Sequence, residues 1–342
     1  MAEALSERER TILRYIVHNY IQTAIPVGSR WIAKYLDIGL SPATIRNVMA
    51  DLEFMGYLNH PHTSAGRMPT DRGYRFYVDY LMEVEHLQDS EQDSIQQILS
   101  PVDDPEELLR ESSKILGRIS HQLSIITSPR FASGIFEKLE LIPLSSSKIM
   151  VVISLKAGLV KTITMEVLSE IRREKLDELA QIMNGRLSGL TLLEIRNTFF
   201  DRMKDISTEQ TGLVRLFIDS VDKLFDDVPE VEKVHIGGTR DILSQPEFEH
   251  PENFRSIIEL LDNQQMIIHV LEKKDLKVGD VGVSIGSENS DEALKHYSIL
   301  TTDYSVADVN GSVCIIGPKR MNYPKVVPLV DYIARTISSM LS

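Results

Sequence analysis

The chain has 342 residues, of which 42% are hydrophobic, and its formal net charge is −13. That length suits two or three domains that each bury a core of their own. No apolar run approaches the roughly 20 residues of a membrane-spanning helix, and the N-terminus lacks the basic-then-apolar order of a secretory signal. The one cysteine, Cys314, excludes an intrachain disulfide and a thiolate metal cluster. We therefore expect a soluble, cytoplasmic protein that does not enter a membrane.

Acidic residues are concentrated outside the N-terminal region. Residues 1–80 contain nine Lys and Arg against eight Asp and Glu, so this region is close to neutral while the rest of the chain is acidic. An acidic body repels a DNA duplex and can orient a near-neutral head toward it. An acidic body also keeps proteins soluble, so the charge distribution alone leaves both interpretations open.

An amphipathic first helix is predicted to begin at Ser6, which forms a capping box with Glu9. A stripe of apolar side chains then recurs at helical spacing. Its members are Ile12, Leu13, Ile16, Val17 and Tyr20. A short second helix near Ser29 places Arg30 and Lys34, which are four residues apart, on its solvent side.

The third helix begins with Ser41, a strong N-cap, and Pro42, which fits the first helical position. Its core-facing side chains are Ile45, Val48, Met49 and Leu52, spaced i, i+3, i+4, i+7. On the outward face, arginine suits guanine, asparagine suits adenine, and alanine permits close approach to a thymine methyl. The alternative is a plain three-helix core with an ordinary polar face. The predicted base-reading residues are Ala43, Thr44, Arg46, Asn47 and Ala50.

A small hairpin is predicted next, with one strand at 57–60, a loop at 61–66 and a return strand from Arg67. Hydroxyls, a guanidinium and a glycine amide at its tip are what a wing uses on phosphates or in the minor groove. We read His60 and His62 as surface histidines, since no third metal ligand is close in sequence. Arg72 and Arg75, in a further helix from Thr70, either meet phosphates or form a solvated face. The predicted phosphate and wing residues are Ser29, Arg30, Lys34, Ser41, His62, Thr63, Ser64, Arg67 and Arg72.

The middle of the chain begins with a polar, acidic linker of partly helical character at residues 83–105. A helix from Glu106 to Leu123 follows. Three strands are then predicted at Lys138–Ile142, Ile149–Leu155 and Val160–Val167, followed by three helices. The third helix has an unusually wide apolar surface, which suits either a buried layer or a subunit interface. The candidate dimerisation residues on it are Leu213, Phe217, Val221 and Leu224.

The last hundred residues are predicted to form a second α/β unit. Its strands are Met266–Leu271, Val281–Ile285, Ser298–Val306 and Ser312–Ile316, and a closing helix starts near Tyr323. Asn310-Gly311 is a strong hairpin signal. Neither Gly237-Gly238 nor Gly279–Gly286 fits a phosphate-binding or dinucleotide-binding fingerprint. The histidines of this part of the chain, His235, His269 and His296, are scattered and carry no metal-ligand pattern. We therefore expect neither an enzyme nor a metal or cofactor site.

Several segments together resemble the bacterial HrcA family of heat-inducible repressors. They are Gly28–Arg30, Ser41–Asn47, Met49–Glu53, Ser64–Thr70, Gly73–Asp79, Val234–Thr239 and Gly317–Tyr323. The resemblance covers nearly the whole chain. It implies a dimer that binds an inverted-repeat operator, called CIRCE, ahead of chaperone genes, with the GroE chaperonin as the partner that keeps the repressor active. It also implies a GAF-like sensor domain with an inserted dimerisation domain.

The predicted fold is therefore an α+β multidomain chain. A winged helix-turn-helix DNA-binding domain covers residues 1–82, a linker 83–105, a GAF-like α/β domain 106–132 and 233–342, and an inserted α+β dimerisation domain 133–232. The predicted function is sequence-specific repression of heat-shock chaperone operons. The alternative is a winged-helix repressor that a small-molecule ligand of its C-terminal domain switches.

Overall fold

The computed structural model describes residues 5–35, 39–61, 66–129, 134–156, 158, 160–167, 171–205, 211–225, 234–249, 251–263, 267, 280–306 and 309–341. The chain divides into two compact units. The first unit comprises Met1–Ile126, His235–Thr302 and Val313–Ile337. The second comprises Thr127–Val234, Asp303–Ser312 and Ser338–Ser342. The segment predicted as the DNA-binding head and most of the segment predicted as GAF-like thus lie in the same unit.

Three helices form the N-terminal head of the first unit: α1 (Glu7–Thr23), α2 (Ser29–Tyr35) and α3 (Pro42–Phe54). The predicted capping box of Ser6 and Glu9 is present, because each side chain reaches the backbone amide of the other residue. The predicted N-cap of α3 is confirmed as well, since the Ser41 hydroxyl accepts a hydrogen bond from the Thr44 amide at 3.1 Å. Local capping chemistry therefore sets where these helices begin.

A two-stranded hairpin and a fourth helix complete the head. Strands β1 (Leu58–Asn59) and β2 (Met68–Pro69) pair antiparallel, and α4 (Asp71–Phe76) continues into a π-helical turn at Tyr77–Leu81. A Cβ on Gly66 would lie 2.6 Å from backbone atoms of Pro26 and Val27, so only glycine fits where the wing returns to the head. Helix-turn-helix and wing together form a winged helix, as the sequence predicted.

The segment predicted as a linker is packed structure in part. It contains α5 (Asp89–Leu99), which precedes α6 (Pro105–Ser120), and the two helices contact each other. Ile95 and Leu99 of α5 are fully buried, and the Glu91 carboxylate lies 2.7 Å from the Lys325 ammonium. The apolar pair at i, i+4 spacing is what draws this acidic segment onto its neighbours.

A five-stranded sheet has the order β7-β3-β10-β9-β8. Its strands are β3 (Leu123–Thr127), β7 (Val234–Gly237), β8 (Gly282–Ile285), β9 (Tyr297–Val306) and β10 (Val309–Pro318). β10 pairs antiparallel with β3, and β9 pairs antiparallel with β8. The helices of this part of the chain are α11 (Thr239–Leu243), α12 (Pro251–Asp262) and α13 (Tyr323–Leu341). The Tyr323 hydroxyl, at the start of α13, lies 2.6 Å from the Ser298 hydroxyl and anchors that helix on β9.

The second unit holds a three-stranded antiparallel sheet in the order β4-β5-β6. Its strands are β4 (Phe136–Ser145), β5 (Lys148–Leu155) and β6 (Val160–Glu166). Its helices are α7 (Arg173–Leu187), α8 (Leu192–Met203), α9 (Thr211–Asp219) and α10 (Val221–Phe225). Alternate residues of β5 are buried, and they join α7 and α8 in one core. The third of the three predicted helices, which has the wide apolar surface, is divided at Ser220 into α9 and α10.

Two sequence predictions in the C-terminal part need comment. β9 and β10 are neighbours in the sheet, as the hairpin signal predicted, but Asn310 and Gly311 lie inside β10, so the turn is not at this dipeptide. The Asn310 side chain instead accepts a hydrogen bond from the Ser305 hydroxyl of β9. The predicted strand Met266–Leu271 lies outside the described residues, apart from Ile267. No helix within the described residues is long and apolar enough to cross a membrane.

Candidate nucleic-acid interface

Helix α3 is held by one side and presents the other to solvent. Its buried side chains are Ile45, Val48, Met49 and Leu52, as predicted. Burial of such a side chain stabilises a fold by about 1.5–3 kcal/mol, so the position of α3 does not depend on its outer face. Ala43, Arg46, Asn47 and Ala50 are all exposed, as predicted. Within the described residues, the side chains of Arg46 and Asn47 form no hydrogen bond or ion pair.

The N-terminal end of α3 is fixed by its cap. The Ser41 hydroxyl lies 2.9 Å from the Thr44 hydroxyl, in addition to its bond with the Thr44 amide. Thr44 is half-buried, while Ser41 is exposed. The two hydroxyls therefore occupy a defined place at the end of the helix that carries Arg46 and Asn47.

The predicted phosphate contacts on α2 differ in exposure. Arg30 and Lys34 are exposed, and the Lys34 ammonium lies 5.3 Å from the centre of the Tyr35 ring. Ser29 is only 8% exposed, so its side chain is withdrawn from the surface that a phosphate would reach. Arg30 and Lys34 are therefore the two α2 residues of the predicted phosphate set that remain exposed.

The wing is tied to the end of α3 by a carboxylate. Glu53 Oε2 lies 2.7 Å from Nε of Arg67, and Glu53 Oε1 contacts Nδ1 of His60. The backbone of Arg67 also exchanges two hydrogen bonds of 2.8 Å with Val27. Arg67 is therefore placed at the base of the wing by both its backbone and its side chain. The predicted tip residues His62, Thr63 and Ser64 lie outside the described residues.

Arg72 is exposed and contacts neighbouring residues of the head. Its Nη1 donates to the Met55 carbonyl at 2.7 Å, and its guanidinium lies 4.5 Å from the centre of the Tyr57 ring. Arginine side chains often satisfy the carbonyls that a helix leaves unpaired at its C-terminus. These contacts hold α4 against the end of α3, and the phosphate contact of Arg72 stays a prediction.

The opposite side of the head packs against the five-stranded sheet through charged groups of α4. The Arg75 Nε donates to Glu288 at 2.8 Å, and its Nη2 donates to the Val283 carbonyl at 2.7 Å. The hydrogen bonds with Glu288 raise the pKa of Arg75 above its ordinary value. Arg75, which the sequence left as either a phosphate contact or a solvated residue, is neither.

Asp71, at the start of α4, makes a second charged contact on this side. Its Oδ1 lies 2.6 Å from the Lys319 ammonium, and its Oδ2 accepts from the Ser287 amide at 2.9 Å. Burial favours the protonated acid, but the hydrogen bonds from Lys319 and Ser287 outweigh it and hold the pKa of Asp71 below its ordinary value. Gly286 has φ of +54°, and a Cβ there would lie 2.2 Å from the Asp71 carboxylate. The approach therefore requires glycine.

Arg320, next to Lys319, makes the third contact. Its Nη2 donates to Glu247 at 2.9 Å, and its Nη1 donates to the carbonyl of Ile21 at the end of α1 at 3.3 Å. We call these contacts of Asp71, Arg75 and Ile21 the docking face of the head. Ala43, Arg46, Asn47 and Ala50 of α3, together with Arg30 and Lys34, are its reading face.

Comparison of the chain with protein-family models and with known proteins identifies its family. A family model described as the winged helix-turn-helix DNA-binding domain of the HrcA transcription repressor matches residues 4–79, and one described as the HrcA C-terminal domain matches residues 106–327. The chain is 44% identical over 352 residues to the heat-inducible transcription repressor HrcA of Chlorobium phaeobacteroides (strain BS1), with both chains covered in full. The chain belongs to the HrcA family of heat-inducible transcription repressors.

Other relatives agree over the same length. The HrcA repressor of Chlorobium chlorochromatii (strain CaD3) is 42% identical, with 99% of this chain and 98% of that protein covered. A crystal structure of a hypothetical protein at 2.2 Å resolution matches with a TM-score of 0.62 and 26% identity over 99% of each chain. The chain is thus a heat-inducible transcription repressor with a winged-helix DNA-binding domain in a mixed α+β fold of several sheets.

One feature of the HrcA head went unnoticed in the sequence. Tyr15, Trp31 and Tyr35 form an aromatic surface, with ring centres 5.7 Å apart between Tyr15 and Trp31 and 4.5 Å apart between Trp31 and Tyr35. Tyr35 is 57% exposed and Trp31 39% exposed. A short helix buries little of its circumference, and the buried residues of α2 are Ser29 and Ile32. The i, i+4 spacing of residues 31 and 35 is the signal that predicts this pair.

The candidate dimerisation residues lie in the second unit. Phe217 and Leu224 are fully buried in its core within one chain, and Val221 packs against that core. Of the two alternatives for the wide apolar surface, a buried layer or a subunit interface, the burial of Phe217 and Leu224 within one chain agrees with the first. Leu213 belongs to α9, but its side chain is outside the described residues. Among the described residues, no group of three or more His, Cys, Asp or Glu side chains is placed to hold a metal ion.

Proposed function

We propose that this repressor binds the inverted-repeat CIRCE operator as a dimer and represses heat-shock chaperone operons until heat stress relieves the repression. The observation that carries the proposal is the reading face. Arg46 and Asn47 are exposed on a buried helix and are not engaged by their described neighbours. Exposed arginine and asparagine on such a helix suit guanine and adenine edges in the major groove.

The proposed base-reading set is Ala43, Thr44, Arg46, Asn47 and Ala50, with Ser41 beside it. Arg30 and Lys34 are proposed to contact phosphates flanking the groove, and the wing, with Arg67 and the tip residues His62, Thr63 and Ser64, is proposed to contact the phosphates or the minor groove. A dimer with two-fold symmetry presents two such heads, and this symmetry matches an operator made of two inverted half-sites.

Two further parts of the proposal rest on the HrcA family. The five-stranded sheet with its helices is proposed to be a GAF-like domain, and the second unit is proposed to be the inserted dimerisation domain. The GroE chaperonin is proposed as the partner that keeps the repressor competent. Unfolded protein that occupies the chaperonin during heat stress would then end repression.

A binding titration tests this proposal. A labelled duplex with the inverted repeat is titrated against a scrambled duplex across a salt series, with and without GroE chaperonin. Trp31 is the only tryptophan of the chain, and its fluorescence reports binding at the head without a dye. Selective binding that weakens steeply with salt is expected, because phosphate contacts release counterions. Equal binding to both duplexes with and without GroE would contradict the operator assignment.

A second candidate function is a repressor that a small molecule switches, and a cleft in the first unit favours it. The cleft has a volume of about 510 Å³, within the range of small-molecule sites. Aromatic rings of Tyr20, Tyr74, Phe248 and Tyr297 line it together with Lys319 and Arg320. However, the two cations are already paired with Asp71 and Glu247, so an anionic ligand would have to displace a carboxylate.

The two candidates differ in what changes operator affinity. The first expects chaperonin to raise operator affinity while metabolite fractions leave it unchanged. The second expects the reverse, with a purified protein that needs no chaperonin. Both measurements use the same labelled duplex, so one titration series separates the candidates.

A further inference from the structure

One carboxylate joins the recognition helix to both strands of the wing. Glu53 is the penultimate residue of α3. Its Oε1 contacts His60, which follows β1, and its Oε2 lies 2.7 Å from Nε of Arg67, which precedes β2. The Glu53 side chain is 25% exposed and that of Arg67 is 23% exposed, so the pair is partly shielded from solvent. Three segments of the head therefore meet at this side chain.

A carboxylate at this place is electrostatically unfavourable for a surface that approaches DNA. Phosphates repel a nearby negative charge, and half-shielded charges are screened less by salt than exposed ones. If Glu53 had no other role, its removal would tighten DNA binding. A neighbouring carboxylate, Asp51, is exposed on the same helix, and its side chain has no partner among the described residues.

The contact with Arg67 supplies a reason for the carboxylate. Nε of Arg67 is buried 2.7 Å from Glu53 Oε2 without a hydrogen bond, so the carboxylate holds it as an ion pair. Because a guanidinium is a rigid planar fork, an ion pair at Nε also restricts where Nη1 and Nη2 can lie. Those two nitrogens form no hydrogen bond with the described part of the chain, and they are the pair that grips a phosphate in a bidentate manner. An arginine that is immobilised before binding loses less side-chain freedom when it binds.

We propose that Glu53 is a positioning residue of the DNA-binding surface, which orients Arg67 of the wing relative to the recognition helix. His60, on the other oxygen, keeps the carboxylate in place between the two strands. Helix and wing then meet the duplex in one fixed geometry. This inference rests on the proposed function, because it needs the wing to contact DNA.

A double-mutant cycle on operator affinity tests the proposal in the full chain. Four proteins are compared: the wild type, Glu53→Ala, Arg67→Ala and the double variant. Glu53→Ala is expected to weaken operator binding about three- to tenfold, although it removes a negative charge, because Arg67 loses its orientation. In the Arg67→Ala background, the same substitution is expected to leave affinity unchanged or to improve it.

Two readouts separate positioning from a loss of fold. Glu53→Ala and Arg67→Ala are each expected to lower the slope of log affinity against log salt by about one, which a change in stability alone does not do. Glu53→Gln keeps the shape and one acceptor oxygen, so it should fold as the wild type does, as judged by thermal melting, and still bind more weakly. Asp51→Ala is the matched control, and its affinity should be equal to or above that of the wild type.

The contrary outcomes are distinct. Glu53→Ala and Glu53→Gln that bind as tightly as Asp51→Ala would overturn the positioning role while leaving the proposed function intact. An equal loss with and without Arg67 would also overturn it, because Glu53 would then act through another group. A wild type that selects no duplex would refute the proposed function, and the inference with it.

Discussion

On the reading face of the head, the side chains of Arg46 and Asn47 are exposed and have no partner among the described residues, whereas on the docking face the Arg75 side chain contacts the Glu288 carboxylate. Arginine thus has two different uses within one small domain. An exposed guanidinium stays hydrated and is available to an outside acceptor. A half-buried one stabilises the fold only while its partner is present, since removal leaves an uncompensated charge. We therefore expect changes on the two faces to affect different measurements.

The largest expected effect is on the docking face. Arg75→Ala should lower the free energy of unfolding by about 2–4 kcal/mol, because Glu288 and the Val283 carbonyl lose their donor. A urea titration of the full chain measures it. Arg335→Ala, which breaks an ion pair of an arginine whose side chain is 73% exposed, is the control and should cost about 0.5 kcal/mol or less. Equal losses in the two variants would remove the distinction between the faces.

Next in size is the reading face. Arg46→Ala or Asn47→Ala should weaken binding to the operator by about 1–3 kcal/mol and leave the urea midpoint unchanged, since a base contact is lost and no internal contact is. Duplex titrations against operator and scrambled DNA measure the change. A loss of equal size on both duplexes would exclude base reading by these side chains.

Asp71 gives a smaller, pH-dependent effect. Asp71→Asn should cost about 1–2 kcal/mol of stability at pH 7, because the hydrogen bonds from Lys319 and Ser287 favour the ionised carboxylate. The pKa of folded Asp71 is lower than the ordinary 3.8, so its stabilisation is present above that pH and is lost as the pH falls through the folded-state value. The gap between wild type and variant should therefore narrow as urea titrations move from pH 5 toward pH 2. A gap that stays constant over this range would show that ionisation of Asp71 is not its source.

The smallest expected effect is at Lys34. Lys34→Ala should weaken binding to all duplexes alike by a factor of about two to five and reduce the salt slope by about one, because a phosphate contact carries no sequence information. Titrations over a salt series measure both quantities. A loss confined to the operator would instead place Lys34 among the base-reading side chains.

Local signals in the sequence were sufficient for the elements that carry the reading face. Ser41 and Pro42 fix the start of α3, and the spacing of its four apolar residues fixes which side is buried. Thr191 likewise forms a capping box with Glu194 at the start of α8. These features depend on neighbours within a few residues, which is why periodicity and capping predict them.

Roles that depend on distant partners escaped the sequence. Arg75 and Glu288 are 213 residues apart, and Lys319 and Asp71 are 248 apart, so nothing in either local pattern indicates the pairing. The sequence gives Arg72 and Arg75 the same two interpretations, a phosphate contact or a solvated face, yet the Arg72 guanidinium lies on the ring of Tyr57. The position of the turn predicted at Asn310-Gly311 was wrong for a similar reason, because the strand pairing of β10 overrides the preference of this dipeptide for a turn.

Capping residues and apolar spacing were enough to predict where α1 and α3 begin and which side of α3 faces outward, and the ordered motifs indicated the family. Those properties follow from hydrogen bonds and side-chain spacing within single elements. Which arginines are paired and which are not depends on the fold, because every guanidinium has the same chemistry and its use depends on the acceptors that folding brings close to it. The same holds for Glu53, because its contacts with His60 and Arg67 at the two strands of the wing are visible only in the folded chain.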